Sequence, residues 1–297
     1  AMAEKPFKSG FVSIVGKPNV GKSTLLNRLV GERLSIITPK AQTTRHRIMG
    51  ILQGKDYQVV FSDTPGIIEP KYALHEAMMA YVRAAMEDAD VVLLLVGPDE
   101  TFDGNPAPEL KVHKGTLLVV LNKADLLQPA QIEEKIKYWQ QHFPEASQVL
   151  AISAATGKNC DVLLETILNY LPEHPPYFGS DELTDKSERF LAAEILREKI
   201  FLHLSQEVPY STEVVVTQFK EEGDLLRISA EIYVERSSQK AIVIGKNGSM
   251  LKKLGTEARK DLEAFFGKKV FLETHVKVAD NWRRQKDKLK RFGYFDE

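Results

Sequence analysis

Between residues 11 and 170 the chain repeats one pattern. Short aliphatic runs, FVSIVG, YQVVFSD, DVVLLLVG, GTLLVVLNKAD and QVLAISA, alternate with helix-period stretches that begin near Lys22, cross 75 to 86 and end at Tyr170. Runs with no polar alternation are buried on both faces, so they predict a mostly parallel sheet covered by helices, an α/β fold. Ligands on such sheets bind at the carboxyl ends of the strands, which is where any chemical motif has to sit. The stretch LPEHPPYFGSDELTDKS, 171 to 187, breaks the pattern. It is rich in proline, glycine and acid, has no periodicity, and reads as a linker. Beyond it come an amphipathic helix with Phe190, Leu191, Ile195, Ile200, Phe201 and Leu204, then EVVVTQF and RISAEIYVE, a glycine-bounded loop, a helix with Met250, Leu251, Leu254, Ala258, Leu262 and Phe265 on one face, and KVFLETHVKV. In RISAEIYVE the apolar residues Ile228, Ala230, Ile232 and Val234 alternate with polar ones, as a half-buried strand requires. The order α-β-β-α-α-β describes a smaller α+β domain. The expected division is 1–172, a linker over 173–187, and 188–297.

A length of 297 residues suits about two domains. The net charge of -1 conceals an asymmetry: 18 Lys and Arg face 23 Asp and Glu over 1–185, net -5, and 22 face 18 over 186–297, net +4. A basic second half suggests a nucleic-acid or membrane-surface partner. Cys160 is the one cysteine, so no internal disulfide framework exists, in keeping with a reducing, cytoplasmic setting. The longest apolar runs are too short to span a bilayer. The seven histidines, at 46, 75, 113, 142, 174, 203 and 275, show no zinc-ligand spacing.

The first candidate site is GKPNVGKS, which follows the strand FVSIV and opens a helix. This is the context a Walker A loop requires. Gly16, Lys17, Pro18, Asn19, Val20 and Gly21 would wrap the phosphates with backbone amides, Lys22 would reach the β and γ phosphates, Ser23 would ligate Mg²⁺, and Thr24 would continue the helix N-terminus beside them. DTPG, made of Asp63, Thr64, Pro65 and Gly66, ends the next strand. Asp63 would hold the metal, and Gly66 would free the backbone, with Ile67 beside it, to contact the γ-phosphate. Alone, D-x-x-G is a common turn; its place after a strand gives it weight. NKAD then ends GTLLVVL. Asp125 can accept from both N1–H and the exocyclic amine of guanine, a pair adenine lacks, while Asn122 and the stem of Lys123 brace the site. Ser153 and Ala154, in ISA, end the last strand where backbone could touch the base.

Four motifs in this order resemble the translation-factor-like branch of the Ras-type GTPases. The resemblance implies that QTTRHR, 42 to 47, is switch I, with one threonine ligating Mg²⁺ when the γ-phosphate is present. Thr44, which precedes Arg45, is favoured over Thr43. Where many GTPases place a water-orienting glutamine, this chain has Ile67 followed by Ile68. That departure resembles the subgroup in which a potassium ion replaces the charge of an arginine finger, with Asn19 matching its potassium-ligating asparagine. Turnover is therefore expected to be slow and stimulated by K⁺.

The second loop, GKNG, lies between two helices and has neither Walker A spacing nor a third glycine. A GxxG loop in a small α+β domain resembles the type II K-homology (KH) fold, which clamps about four nucleotides of single-stranded RNA. The resemblance assigns Gly245, Lys246, Asn247, Gly248, Lys252 and Lys253 to RNA. The basic tail WRRQKDKLKR adds Arg283 and Arg284, with Trp282 as an aromatic that could stack on a base. A Ras-like domain followed by one such domain resembles the Era family of bacterial small-subunit-assembly GTPases nearly end to end, through KPNVGKSTLLN, KAQTTRHRI, DTPG, NKAD and IGKNGSMLK. Membership implies GTP and GDP as ligands with Mg²⁺, binding near the 3′ end of 16S rRNA, a part in assembly of the 30S subunit, a monomer, and loose association with the inner face of the cell membrane. The segment 98–114 and the linker depart most from the family. Two rival readings are a metabolic P-loop enzyme, against which NKAD argues, and a GTPase whose C-terminal domain is a protein or membrane adaptor.

Overall fold

The computed structural model describes residues 5–104, 110, 113 and 115–295, so much of the divergent 98–114 segment lies outside the described residues. Among those described, a six-stranded sheet has the order β2-β3-β1-β4-β5-β6. Its strands are β1 (Lys8–Gly16), β2 (Ile48–Gln53), β3 (Tyr57–Asp63), β4 (Val91–Val96), β5 (Thr116–Leu121) and β6 (Gln148–Ala151). β1 pairs in parallel with β3 and β4, and β4–β5 and β5–β6 are also parallel. Every residue of β4 is buried, which is why VVLLLV carries no polar alternation. The helices of this layer are α1 (Lys22–Val30), α2 (Ala73–Asp88), α3 (Pro129–His142) and α4 (Cys160–Tyr170). The apolar runs did not mark β2, an antiparallel edge strand interrupted by Gly50.

The expected linker is no free tether. Ile51 N donates to Leu183 O at 2.8 Å, and the Thr184 hydroxyl donates to Met49 O at 2.6 Å. The fully buried Gln58 amide donates to Phe178 O at 2.8 Å and accepts from Tyr177 N at 2.8 Å and Phe178 N at 3.0 Å. An edge strand exposes unpaired backbone groups, and this stretch supplies their partners.

By contact density the chain forms one compact unit of Ala1–Ser35, Thr44–Glu69 and Met78–Asp185, and a second of Ile36–Thr43, Pro70–Ala77 and Lys186–Glu297. The second unit contains α5 (Glu188–His203), β7 (Glu213–Glu222), β8 (Leu225–Val234), α6 (Ser237–Ile244), α7 (Ser249–Phe266), β9 (Lys269–Val278) and α8 (Lys286–Arg291). Its sheet has the order β7-β8-β9, antiparallel then parallel. Ser187 caps α5 by accepting from Phe190 N at 3.1 Å. Leu196, Ile200, Ile228, Ile232, Val243, Leu254, Ala258 and Leu262 make the core under the sheet. The segment 36–43 belongs to this unit through bonds from Lys40 Nζ to Phe201 O, from Ile37 N to Glu198 at 3.2 Å, and from the Tyr210 hydroxyl to Ala41 O at 2.9 Å.

Candidate nucleotide and nucleic-acid sites

Five loops meet at the carboxyl ends of the parallel strands. The loop after β1 turns into α1 through Gly21, whose φ of 102° lies in the left-handed region. A Cβ on Gly21 would stand 2.2 Å from Asn122 Nδ2, and one on Gly16 would stand 2.6 Å from Leu95 O. Asn122, at the end of β5, donates to Val20 O at 2.8 Å and accepts from Ala154 N at 2.9 Å. Lys123 Nζ donates to Asn19 O at 2.8 Å, so the lysine lies across the phosphate loop. Asp125 stands exposed in a short turn after β5. Ser153 and Ala154 are buried where β6 ends, and the Ser153 hydroxyl accepts from Thr156 N at 3.2 Å.

Lys22 is buried and donates to Lys17 O at 2.7 Å, while Lys17 itself pairs with Asp103 at 2.7 Å. Burial pushes the Lys22 ammonium down to about 8, against the pull of Asp63 and Glu100. Ser23 Oγ donates to Asp63 Oδ2 at 2.7 Å and lies 3.1 Å from Thr44 Oγ1. Thr43 is committed elsewhere: its hydroxyl donates to Lys40 O at 2.8 Å and lies 2.6 Å from that of Thr38. Burial lifts the Asp63 carboxyl above its usual range, opposed by the Lys22 ammonium and the Ser23 hydroxyl. Asp63 Oδ1 is buried and has no hydrogen-bond partner among the described residues. One orphaned carboxylate oxygen beside two hydroxyls is the hard-oxygen donor set that Mg²⁺ takes. Thr64 is pinned by its hydroxyl to Ile14 O at 2.7 Å, and Pro65 is buried beside it. Gly66 abuts Pro18, whose backbone nitrogen would lie 2.9 Å from a Cβ there, and Ile67 N donates to Gly16 O at 2.9 Å. The switch backbone thus rests directly on the phosphate loop.

Two helix residues that the motifs did not single out also hold the pocket. Asn27 accepts from Leu34 N at 2.9 Å and Ser35 N at 3.0 Å, fixing the entry to switch I. Arg28 donates to Ala154 O at 2.6 Å and Ala155 O at 2.7 Å, tying the base-side loop to α1. Asn27 ends the quoted KPNVGKSTLLN, a polar residue in an apolar helix run, and that was its only local signal.

In the second unit GKNG joins α6 to α7. Gly245 has φ 75°, Asn247 φ 56° and Gly248 φ 74°. Lys246, Asn247, Lys252 and Lys253 are exposed. The turn stands open beside a cleft of about 390 Å³ lined by Gly248, Leu251, Lys252, Gly255, Thr256 and Arg259 of the turn and α7, with Leu272 and Thr274 of β9 opposite.

The basic tail does not extend this surface as expected. Trp282 is 0% exposed, with its indole N–H donating to Ser211 O at 2.8 Å, so it is a core residue and no platform for a base. Arg283 pairs with Glu235 at 2.6 Å and Glu207 at 3.5 Å and packs over Tyr72, its guanidinium 5.2 Å from the ring centre. Its charge is matched within the protein, at the start of α6. GKNG lies at the far end of that eight-residue helix, about 12 Å away by helical rise. Arg284 is exposed and also packs over Tyr72.

A Walker A loop, a cluster of two hydroxyls and a carboxylate, and the NKAD loop on this sheet order are those of a P-loop GTPase, here followed by a KH domain. The family model for the 50S ribosome-binding GTPase matches residues 11–123, and that for the KH domain matches 207–283. GTPase Era of Syntrophus aciditrophicus (strain SB) is 46% identical over 293 residues, 97% of this chain and 95% of that protein. GTPase ERA-like, chloroplastic, of Oryza sativa subsp. japonica is 45% identical over 98% of this chain and 70% of its own length. A crystal structure of Era in complex with MgGDPNP and nucleotides 1506–1542 of 16S ribosomal RNA superposes with a TM-score of 0.93 at 41% identity, covering 97% of this chain and 99% of that one. An Aquifex aeolicus Era variant bound to GDP and AlF4⁻ gives the same score and identity. The chain belongs to the Era family of GTPases.

Proposed function

We propose that this chain is a GTP-operated switch that grips single-stranded 16S rRNA near its 3′ end and acts in assembly of the 30S subunit. The observation that carries the reading is the pairing, in one chain, of the assembled guanine-nucleotide site with an open, lysine-flanked GKNG cleft. The likeness to an Era structure holding both MgGDPNP and a 16S segment supports it.

Ser23, Thr44 and Asp63 would hold Mg²⁺, which when bound offsets charge on the β and γ phosphates. Lys22, protonated and buried, stabilises the same oxygens. The Gly66 and Ile67 backbone lies where loss of the γ-phosphate is felt, and the segments 35–47 and 63–75 order around it. Ile67 and Ile68 offer no group to orient water, so slow hydrolysis stimulated by K⁺ at Asn19 belongs to the same proposal. Asn19 occupies a left-handed position in the loop, φ 66°, and its side chain brings a neutral oxygen suited to a monovalent cation.

The test is affinity for RNA spanning nucleotides 1506–1542 of 16S rRNA, measured with GDP and with a non-hydrolysable GTP analogue across a salt series. Binding that differs between the two nucleotides and falls steeply with salt is expected. Equal affinity in both states would remove the switch, and absent binding would favour the adaptor reading. Equal hydrolysis rates in KCl and NaCl would remove the potassium role.

A further inference from the structure

We infer that Arg28 is a positioning residue for the purine: it holds the loop after β6 so that the Ala155 N–H faces O6 of guanine and opposes the amine that adenine carries there. The inference rests on the guanine-nucleotide reading of the site and adds to it a second reader, independent of Asp125.

Arg28 stands in the last turn of α1, the helix that the phosphate loop opens. Its Nε donates to Ala154 O at 2.6 Å and its Nη2 to Ala155 O at 2.7 Å, so one edge of the guanidinium grips two successive peptide groups. The two donors are fixed in one plane, a geometry that a lysine ammonium does not share. Gly157 makes room for the head group: its φ is 86°, and a Cβ on it would stand 3.0 Å from Arg28 Nη1. Elsewhere the loop closes on itself. Thr156 N donates to the Ser153 hydroxyl at 3.2 Å, Gly157 N to Ser153 O at 2.8 Å, and Ser153 N to Lys158 O at 3.0 Å.

A trans peptide points its C=O and its N–H in opposite directions. With both carbonyls turned to Arg28, the N–H groups of Ala155 and Thr156 turn away from it. Thr156 N is spent on Ser153, and Ala154 N on Asn122. Ala155 is exposed, and its N–H has no acceptor among the described residues. The guanidinium charge on the Ala154 carbonyl polarises that peptide and strengthens its N–H as a donor. This open donor adjoins the base-reading loop, because Ala154 N bonds Asn122 Oδ1 at 2.9 Å and Ala124 N bonds Ile152 O at 3.0 Å. In guanine O6 is the neighbour of N1, the atom that Asp125 reads, so a base set on Asp125 turns an acceptor toward the adjoining loop. Adenine would set an amine there, donor against donor.

The experiment measures the affinity of the full-length protein, and of Arg28→Ala, Arg28→Lys and Asp125→Asn, for GTP, GDP, inosine triphosphate and 6-thioguanosine triphosphate. Sulfur is a weak acceptor, so the thio analogue probes the contact at position 6, whereas inosine lacks the 2-amine and probes Asp125. Arg28→Ala should weaken GTP and GDP alike by about three- to tenfold, the low range for charge-assisted hydrogen bonds at an exposed side chain. KM for GTP should rise while kcat at saturation holds, because the purine end is common to both nucleotides. The penalty for sulfur should shrink several-fold in Arg28→Ala, the penalty for the missing amine should not change, and Arg28→Lys should restore part of the former. A sulfur penalty as large in Arg28→Ala as in the unmodified protein overturns the inference. So does a parallel shrinkage of both penalties, which would mark a general loosening of the pocket. If Arg28→Ala fails to fold, Arg28→Lys is read against the same two outcomes. Unchanged GTP preference in Asp125→Asn removes the base site itself, a failure that these Arg28 outcomes do not mimic.

Discussion

The phosphate loop and the GKNG turn are both glycine-bounded, carry a lysine and open a helix, yet their surroundings are opposite. Gly16 and Gly21 are pressed by Leu95 and Asn122, so that loop is shaped by the protein before any ligand arrives. On Gly248 and Gly255 an added Cβ would point into open space among the described residues. The first site buries Lys22 and Asp63; the second exposes Lys246, Lys252 and Lys253. A small ligand with one shape rewards preorganised, desolvated groups. A long flexible strand rewards accessible charge and backbone it can lie against.

If that contrast is right, substitutions in the closed site act in large steps and those in the open site in small ones. The largest step is at the base. Asp125→Asn should exchange guanine for xanthine preference, lowering GTP affinity relative to XTP by about 10⁴-fold, because an amide donates where a carboxylate only accepts. Unchanged GTP preference in a competition assay would remove Asp125 as the base reader. Next is Lys22→Ala, which should weaken triphosphate binding by about 2–5 kcal/mol, as removal of a buried charge partner does. RNA affinity should survive; joint loss in a folded protein would merge the two regions that the comparison separates. Gly248→Asp should cost roughly tenfold in RNA affinity, through a strained left-handed backbone and an added negative charge. Intact affinity there would detach the turn from the RNA.

The smallest effect is in pH. Lys22 in the free protein loses its proton near 8, below the ordinary lysine value. Below that pH the ammonium is ready for a polyanion, and above it binding must first take up a proton. GTP affinity should therefore be flat from about pH 6.5 to 7.5 and fall several-fold toward 9, whereas Lys22→Ala should be flat throughout. Titration calorimetry across that range reads the difference.

The closed site was largely legible because each of its motifs is a short string fixed to a strand end. The neighbouring Arg45 favours Thr44 over Thr43, and in the fold the Thr44 hydroxyl lies beside Ser23 and Asp63 while that of Thr43 bonds Lys40 and Thr38. Legibility failed where a role depends on a distant partner. Trp282 and Arg283 looked like an RNA-binding tail, but Ser211, Glu207, Glu235 and Tyr72 engage them, and no local pattern announces those neighbours. Arg28 was missed for the same reason, since the carbonyls it holds lie far along the chain at Ala154 and Ala155. The stretch 171–187 has the composition of a linker, and the partners it gives to edge strand β2 and to the buried Gln58 of β3 explain its ordered course.

Asn122 spends its amide on Val20 and its oxygen on Ala154, so one side chain is shared by the triphosphate end and the purine end of the pocket. A change at Asn122 is therefore felt at both ends. An engineer seeking a new base at position 125 has to leave this residue in place, or the cradle for the phosphates loosens along with the reader.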